Sequence, residues 1–401
     1  MEKINRQRFR IILLLSIITV LLFGGIVINL SIDNYISATT SSLASPSVFL
    51  PAVSSVKSYG TEHDDSFVDA FFVGDDTYVF YNSECGVMQK DGENPLSVTM
   101  EGKIVSVALT PYGFALGIEK EDNLSIKIMG FDGIPSSSVS VTYKNARLEY
   151  LGYDSNVCVA IKHQGEFDYV LTYLKYDASL TEIYHRDIYS LYNLSAVACY
   201  PLSNKTVIFF NAQYGSVKRG GYSVIHNVSL SMQTEYFSGV TDYTVCDAKP
   251  YGNGFLVTAL SDNNAYAIEL DENMAQGEPK LLMEKCKGAS IYTDSSVCYV
   301  GLDNGESVSL LSYNDNTVFK DFASSVYDCI FIDGAAVFAI YKSGVTSITH
   351  LSTGLSSPVI SLAPTTLKLK HKGKLSLYTS LCAPSHVLHK GGFDVYGATL
   401  P

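Results

Sequence analysis

The sequence predicts an all-β fold built from repeated four-stranded units, and two observations lead to this prediction. An extended run, a tight polar turn and a second extended run recur about every 36 to 50 residues from Phe67 to nearly the end of the chain, and such a fixed period indicates a repeat architecture. Each repeat also has room for four short strands, with no helical period between them. These features favour the blades of a β-propeller over a helical solenoid.

Eight copies of the hairpin follow one another. They are VDAFFVGDDTYVFYN from Val68, VSVALTPYGFALGIE from Val105, LEYLGYDSNVCVAIK from Leu148, LSAVACYPLSNKTVIFF from Leu194, DYTVCDAKPYGNGFLVTAL from Asp242, SIYTDSSVCYVGLD from Ser290, SVYDCIFIDGAAVFAIY from Ser325 and a looser SLYTSLCAPSHVLH from Ser376. The first strand of a copy is apolar or small on both faces, as in Val105–Leu109, which suits an inner strand buried on two sides. The third strand alternates, as in Leu124–Ile128, which is typical of a half-exposed strand.

A second motif follows the third strand and joins an aromatic residue to Asp or Asn. It reads MGFDG at Met129, LKYDA at Leu174 and LSYND at Leu311, with degenerate versions VMQKDG at Val87 and IELDEN at Ile268. An Asp or Asn side chain can accept a hydrogen bond from the backbone two residues on, so the motif predicts a tight turn. The tripeptide PYG also occurs in two copies, from Pro111 and from Pro250, and predicts a hairpin turn at the same phase.

With these motifs the chain resembles the broad β-propeller superfamily, especially secreted or anchored propellers with degenerate Tyr/Phe-Asp turns. The resemblance covers residues 47 to 400 or nearly so. It lies in the repeated pattern and carries no catalytic motif, and it implies a closed ring of blades. It names no activity, because one fold hosts many functions.

The number of blades follows from how the last copy is completed. It offers three strands, at Ser376–Leu381, His386–His389 and Phe393–Leu400, while the extended segment Val48–Val53 belongs to no repeat. That segment could supply the missing outer strand and close a ring of eight four-stranded blades without raw edges. The alternative is a ring of seven blades with the basic C-terminal stretch as an appendage.

The chain begins with a basic segment, residues 1–10, followed by a run from Ile11 to Ile28 that contains no charged residue. About 20 apolar residues span the hydrocarbon core of a bilayer, and the preceding basic residues favour an N-terminus on the inside. We therefore expect a transmembrane signal anchor over residues 11–30. A cleaved signal peptide is the rival, since Ser42-Leu43-Ala44 offers a cleavage site, but its apolar region is usually only about 7–15 residues long.

Residues 31–46 form a linker rich in Ser, Thr and Ala, which has too little apolar surface to order itself. The propeller then occupies residues 47–401. This organisation predicts a single-pass protein of the cell membrane whose C-terminal domain is extracytoplasmic.

The composition of the chain limits the classes of partner and of propeller repeat that can be expected. The formal net charge is −12, and both ends of the chain are basic, so the body between them is more acidic still. An acidic body repels polyanions, which excludes nucleic acid as the expected partner. Trp is absent, which excludes the Trp-Asp propeller repeat, whereas 28 Tyr and 19 Phe suit half-buried strands.

The eight cysteines show no C-x-x-C pair and no regular spacing. Zinc ribbons and redox dithiols are therefore unsupported. Most of the cysteines lie in apolar strand patterns, where a free thiol packs as a small hydrophobe. We expect mostly free, buried thiols, although disulfides remain open in an oxidising compartment.

The sequence supports neither a Cys/His metal site nor a calcium-binding loop. Cys382, His386 and His389 are the nearest approach to a ligand cluster, but on a strand His389 points away from the other two. The acidic runs Glu62–Asp65 and Asp303–Glu306 do not complete a calcium loop and are expected to be solvated turns. No phosphate loop, dinucleotide fingerprint or nucleophile elbow occurs either, so no catalytic, cofactor-binding or metal-binding residue is assigned.

Two functional hypotheses remain. The first is a membrane-tethered module that binds or scaffolds an extracytoplasmic protein or glycan. The second is a carbohydrate-active hydrolase or lyase whose site lies in the central channel. Carboxylates about 5–10 Å apart at the channel would favour the enzyme, whereas a mixed or apolar face would favour binding. The absence of chemical motifs favours the first.

Overall fold

The computed structural model describes residues 53–59, 66–166, 169–190, 192–227, 229, 231–239, 242–294, 297–352, 355–360, 366–372, 374–380 and 393–398. The regular elements within these ranges are all β-strands. No helix in the described ranges is long and apolar enough to cross a membrane. The predicted anchor over residues 11–30 lies outside them.

Seven blades consist of four consecutive antiparallel strands each. Blade 1 comprises β2 (Ser66–Val73), β3 (Asp76–Asn82), β4 (Gly86–Asp91) and β5 (Leu96–Thr99), and blade 2 comprises β6 (Lys103–Thr110), β7 (Gly113–Lys120), β8 (Asn123–Gly130) and β9 (Pro135–Val141). Blade 3 comprises β10 (Arg147–Tyr153), β11 (Val157–Gln164), β12 (Tyr169–Tyr176) and β13 (Glu182–Ser190). Blade 4 comprises β14 (Asn193–Pro201), β15 (Lys205–Tyr214), β16 (Val217–His226) and β17 (Met232–Tyr236). Blade 5 comprises β18 (Thr244–Tyr251), β19 (Gly254–Ser261), β20 (Asn264–Leu270) and β21 (Lys280–Met283). Blade 6 comprises β22 (Gly288–Thr293), β23 (Cys298–Asp303), β24 (Val308–Ser312) and β25 (Thr317–Ala323). Blade 7 comprises β26 (Ser325–Ile332), β27 (Ala335–Lys342), β28 (Val345–His350) and β29 (Leu355–Ile360).

A further four-stranded sheet, here called the closing sheet, unites the two ends of the described chain. Its strand order is β30 (Thr366–Lys372), β31 (Lys374–Ser380), β32 (Phe393–Ala398) and β1 (Val53–Tyr59). Strand β1 pairs antiparallel with β32, from Val53 opposite Ala398 to Tyr59 opposite Phe393. Strand β30 contacts both β26 of blade 7 and β2 of blade 1, so the closing sheet bridges the last and first blades.

Closure by a strand from the N-terminal side was predicted from the sequence, but the bounds of the strands involved differ from those predicted. The outer strand is Val53–Tyr59 and not Val48–Val53, whose other residues lie outside the described ranges. Strand β30 was missed, and the proposed strand His386–His389 also lies outside the description. The seven-blade alternative accounts for the blades built from consecutive strands, and the last repeat adds three strands to the closing sheet.

The inner strands are irregular at one repeated point. In β2, β6, β10, β14, β18 and β26 the register to the second strand shifts by one residue, for example between Val245 and Asp247 in blade 5. Such a β-bulge leaves one residue unpaired and bends the strand. The bulge matters for the site because polar side chains next to it reach the neighbouring blade.

The core lies between neighbouring blades and is largely aromatic. Phe209 of blade 4 contacts Phe255 of blade 5 with ring centroids 5.1 Å apart, and Tyr222 packs against Phe237 at 5.6 Å. Edge-to-face and tilted pairs of this kind add about 0.5–1.5 kcal/mol beyond the burial of their area. Aromatic pairs therefore stabilise the boundary between two blades, as Phe209 and Phe255 do, and also single blades, as Tyr222 and Phe237 do.

The predicted aromatic-Asp turns are confirmed. Asp177 Oδ1 accepts hydrogen bonds from the backbone N–H groups of Ser179 and Thr181, both at 2.9 Å, and Asp132 and Asp271 form equivalent turns.

The two PYG motifs are not equivalent, contrary to the prediction from sequence. Pro111-Tyr112 is itself a two-residue turn between Thr110 and Gly113. In blade 5, Tyr251 still belongs to β18, and the turn begins at Gly252, which has a φ of 56°.

Candidate functional site

Two asparagine side chains tie one blade to the next. Asn211, in β15 of blade 4, donates from Nδ2 to the carbonyl oxygen of Val245 at 2.8 Å, and its Oδ1 accepts from the Val245 N–H at 2.7 Å. Asn82 of blade 1 forms the same pair of bonds with Ile104 of blade 2, at 2.8 and 2.7 Å. Each amide therefore acts like an additional strand segment at a blade boundary.

Acidic side chains beside the inner-strand bulges have a similar role. Asp247 accepts from the N–H groups of Ala248 at 2.8 Å and of Ile291, in the inner strand of blade 6, at 2.9 Å. Asp328 of blade 7 accepts from Cys329 and from Leu369 of the closing sheet, both at 2.8 Å.

The same arrangement occurs in two more blades with different partners. Glu149 of blade 3 accepts from the Ala196 N–H of blade 4 at 3.0 Å. Asp69 of blade 1 accepts from Ala70 at 2.8 Å and pairs with Lys370 of the closing sheet at 2.6 Å. Inner-strand carboxylates thus occur in blades 1, 3, 5 and 7.

Burial raises the pKa values of Asp247, Asp328 and Glu149 above the usual range of a carboxyl group. A raised carboxyl pKa at a channel is a feature of some hydrolytic sites. In this ring, however, each of the three carboxylates accepts a backbone N–H from the neighbouring sheet. Their contacts are those of groups that fix the spacing of blades.

A groove of about 680 Å³ lies between blades 3 and 4. Turn residues and outer-strand residues of blade 3 form one wall, and the β14–β15 turn together with Asn227 forms the other. The lining residues are Asp154, Ser155, Asn156, Lys175, Ile183, Tyr184, Pro201, Leu202, Ser203 and Asn227. The volume lies within the range of about 300–1,000 Å³ typical of small-ligand sites.

The charged residues that line this groove neutralise each other. Lys175 Nζ lies 2.8 Å from Asp154 Oδ2, and both side chains are largely buried. Burial alone would raise the pKa of Asp154, but the hydrogen bond and charge of Lys175, together with hydrogen bonds from Cys158 and the Asn156 N–H, outweigh burial and lower the pKa. Blade 1 has the equivalent ion pair between Lys90 and Asp76, also at 2.8 Å, at the corresponding turn.

The neutral polar groups of the groove are held by the two turns. Asp154 Oδ1 accepts from the Asn156 N–H at 3.2 Å, and Ser155 between them has a φ of 104°. This φ costs energy for a residue with a Cβ, and such residues cluster at functional sites. On the other wall, Asn227 Nδ2 donates to the carbonyl oxygens of Leu202 and Ser203 at 2.9 and 3.2 Å, which fixes its Oδ1 as the remaining acceptor.

Tyr184, in the wall of the groove, has a hydroxyl that is shielded from solvent and forms no hydrogen bond with the residues that the structure describes. Burial raises the pKa of this phenol, so it stays protonated and able to donate. A buried polar group without a partner costs about 1–3 kcal/mol. Tyr243 in blade 5 is the only other residue of the described ranges with such a hydroxyl.

The opposite face of blade 3 carries a cluster of titratable side chains around Asp187. Its carboxylate accepts from Thr172 at 2.6 Å, from His185 at 2.8 Å and from Tyr189 at 2.8 Å. His163 contacts Thr172 Oγ1 at 2.9 Å. Because Thr172 stands between the histidine and the carboxylate, the order differs from that of a hydrolytic triad, in which histidine is central.

Metal binding finds no support in the described ranges, where no group of three or more His, Cys, Asp or Glu could hold an ion. Asp303–Glu306 is a turn, with Asp303 Oδ1 accepting from the Gly305 N–H at 2.6 Å. Cys382, His386, His389 and Glu62–Asp65 lie outside the description. The seven described cysteines are all free, and four are buried.

Sequence reasoning missed the groove and the inner-strand carboxylates. The carboxylates do leave a signal, because Asp69, Asp247 and Asp328 occupy the same phase of their copies, each directly before Ala or Cys. The groove leaves none, since its walls come from turns of two different repeats.

Comparison with known proteins shows the fold and nothing narrower. No family model and no curated protein matches the sequence. Among solved structures, the Dos1 propeller superposes with a TM-score of 0.57 at 12% identity, covering 86% of this chain and 95% of its own.

Two archaeal structures are more distant. The propeller domain of the trilobed protease of Pyrococcus furiosus has a TM-score of 0.46 at 9% identity, covering 83% of this chain and 93% of its own. The acylaminoacyl peptidase of Pyrococcus horikoshii has a TM-score of 0.47 at 10% identity, covering 79% of this chain and 57% of its own. The repeats, the sheet topology and the Dos1 superposition together show that this chain is a β-propeller.

Proposed function

We propose that the protein is a membrane-tethered extracytoplasmic propeller that acts as a binding module for a protein or a glycan. The observation that carries the proposal is the groove between blades 3 and 4, with its unpartnered Tyr184 hydroxyl and its strained Ser155. Concave sites with a few fixed polar groups and some apolar wall are where proteins usually hold small ligands or chain segments.

The tether rests on the sequence. The basic segment 1–10 and the uncharged run Ile11–Ile28 favour a signal anchor with the N-terminus inside. The linker 31–46 then holds the propeller outside the membrane, where surface proteins and glycans are the available partners.

The contacts of the inner-strand carboxylates favour binding over hydrolysis. A glycosidase needs one carboxyl group to protonate the leaving oxygen and another to act as nucleophile or base. Asp247 and Asp328, two inner-strand carboxyl groups whose pKa values are raised by burial, each accept two backbone N–H bonds.

The proposal is tested by retention of material from the surface of the cells that make the protein. The full-length chain, held in micelles of a detergent without a sugar headgroup, is immobilised and exposed separately to surface glycan and surface protein fractions. Lys175→Met leaves the carboxylate of Asp154 unpaired in the wall of the groove and so disturbs the turn that holds Ser155 and Asn156, whereas Lys90→Met breaks the equivalent ion pair of blade 1. Both pairs have N···O distances of 2.8 Å.

We expect the wild type and Lys90→Met to retain the same component and Lys175→Met to lose most of it. Thermal unfolding of both variants checks that the ring remains intact. Equal retention by all three proteins, or no retention by any of them, would contradict the groove as a binding site.

A further inference from the structure

We infer that the ligand of the groove is a neutral, polyhydroxylated molecule, a short segment of an uncharged glycan. The inference rests on the proposed function and goes further, because it assigns the chemical class of the ligand from the lining residues. The features that decide the class are charge, hydrogen-bonding capacity and the apolar wall.

Charge argues against an ionic ligand. The charged lining residues, Asp154 and Lys175, are paired at 2.8 Å, and the other lining residues are neutral. A bound phosphate or carboxylate would have to take Lys175 from a largely buried aspartate, and truncating one partner of such a pair leaves a costly unpaired charge. A neutral ligand leaves the pair intact.

The hydrogen-bonding capacity of the groove matches hydroxyl groups. Within the described residues, the side chains of Ser155, Asn156 and Ser203 form no hydrogen bond, and neither does the Tyr184 hydroxyl. These groups include donors and acceptors in roughly equal measure. A sugar hydroxyl both donates and accepts, so it can complement each of them.

The apolar part of the wall suits the C–H face of a sugar ring. Ile183 leaves 52% of its surface exposed on the outer strand of blade 3. Pro201 and Leu202 lie on the opposite wall, in the turn of blade 4. An apolar wall on each side of the polar turns is the arrangement that binds a flat ligand with a polar rim.

A matched pair of tyrosines provides the test. The groove variant combines Tyr184→Phe with Asn156→Ala, which removes two hydrogen-bonding groups from the lining. The control variant is Tyr243→Phe, which removes the other shielded, unpartnered hydroxyl of the described ranges at a position outside the groove. Since both hydroxyls lack a protein partner, neither Tyr→Phe change should lower stability.

The probe is an array of immobilised neutral and acidic oligosaccharides, with titration calorimetry on any sugar that binds the full-length protein in the same sugar-free detergent. We expect binding of neutral sugars that is about tenfold weaker in the groove variant and unchanged in the control variant. Preference for acidic sugars, or equal affinity in all three proteins, overturns the inference.

The outcomes separate this inference from the proposed function. If no sugar binds but a surface protein is retained in a Lys175-dependent manner, the glycan assignment is wrong and the binding module stands. If neither a sugar nor a protein is retained, both are wrong.

Discussion

The side-chain amide of Asn211 forms hydrogen bonds with both backbone groups of Val245, at 2.8 and 2.7 Å, and so joins the second strand of blade 4 to the inner strand of blade 5. Asn82 and Ile104 repeat the arrangement between blades 1 and 2. Blade boundaries in this ring are therefore held by directional polar contacts in addition to aromatic packing.

Replacing Asn211 by Leu should destabilise the ring at this boundary. The change leaves the N–H and carbonyl of Val245, a buried residue, without partners, at a cost of about 1–3 kcal/mol for each unsatisfied group. Chemical denaturation monitored by circular dichroism measures the loss. The control is Gln213→Leu in the same strand, an exposed residue whose side chain, among the described residues, donates only to the Gly215 carbonyl oxygen at 3.2 Å. Equal midpoints for the two variants would contradict the role of Asn211.

Asp247 should make stability depend on pH in an unusual direction. Burial raises its pKa in the folded state above the unfolded value of about 3.9, so folding favours the protonated form. Its contribution is fully present below the unfolded pKa and is lost as the pH rises through the folded pKa. The free energy of unfolding of the wild type, relative to that of Asp247→Asn, should therefore fall as the pH rises above about 4.

Asp187 serves as the control of opposite sign. Burial alone would raise its pKa, but hydrogen bonds from Thr172, His185 and Tyr189 outweigh it and lower the pKa. Its contribution is therefore present above the unfolded pKa and lost as the pH falls through the folded one. Urea titrations at several pH values should show that the free energy of unfolding of the wild type changes with pH in opposite directions relative to Asp187→Asn and relative to Asp247→Asn. The same direction for both variants would refute both assignments.

The cysteines should resist alkylation in the folded protein. Burial raises the pKa values of Cys158 and Cys298 to about 12, so neither is a thiolate near neutral pH. Cys85, Cys246 and Cys329 are only partly buried, and burial raises the pKa values of Cys246 and Cys329, so Cys85 should react first among the described cysteines. Mass spectrometry after alkylation with and without denaturant, in the absence of reductant, gives the number of labelled cysteines in each state. A chain that gains no label on denaturation would contain disulfides instead.

Deleting Val53–Tyr59 should open the ring. Strand β32 would lose its whole outer partner, and each lost backbone bond costs about 0.5–1.5 kcal/mol. Deleting residues 31–44 from the linker is the matched control and should leave the midpoint unchanged. If the strand deletion also left the midpoint unchanged, the closing sheet would not contribute to stability.

The tether predicts a defined topology. Protease added to intact cells should remove the propeller and leave residues 1–10 protected, because the apolar run Ile11–Ile28 is expected to cross the bilayer. Tags at the two ends, followed by immunoblotting, report the fragments. A mature chain that begins near Ser45 would instead indicate a cleaved signal peptide.

Buried strands could be predicted from sequence because their side-chain pattern is imposed by burial. Leu124–Ile128 lies in β8, as its alternating pattern indicates. Val105–Leu109 lies in β6, but the expectation that this strand is buried on both faces is wrong, because Val105 and Leu109 are 39% and 42% exposed. Outer strands were less predictable, since they face solvent and lack this constraint. The outer strand of blade 3, for example, runs from Glu182 to Ser190 through a polar stretch without a clear alternating pattern.

Strand β30 shows a pattern that was present but misinterpreted. The seven-blade alternative places its lysines in an appendage, although Leu367 and Leu369 alternate with Lys368 and Lys370 and are buried. The groove could not be predicted, because the sequence pattern of one repeat does not indicate which of its turns lies beside a turn of the next repeat.

Because of the closing sheet, the ring can be completed only after all seven blades have been synthesised. Strand β1 leaves the ribosome before any blade exists, and its partner β32 follows only after all seven blades have been synthesised. Blades can form one by one as they emerge, but β1 must wait, unpaired, for almost the whole chain. A product that stops short of Phe393 lacks the partner strand of β1, so the fold itself distinguishes a chain that contains β32 from one that does not.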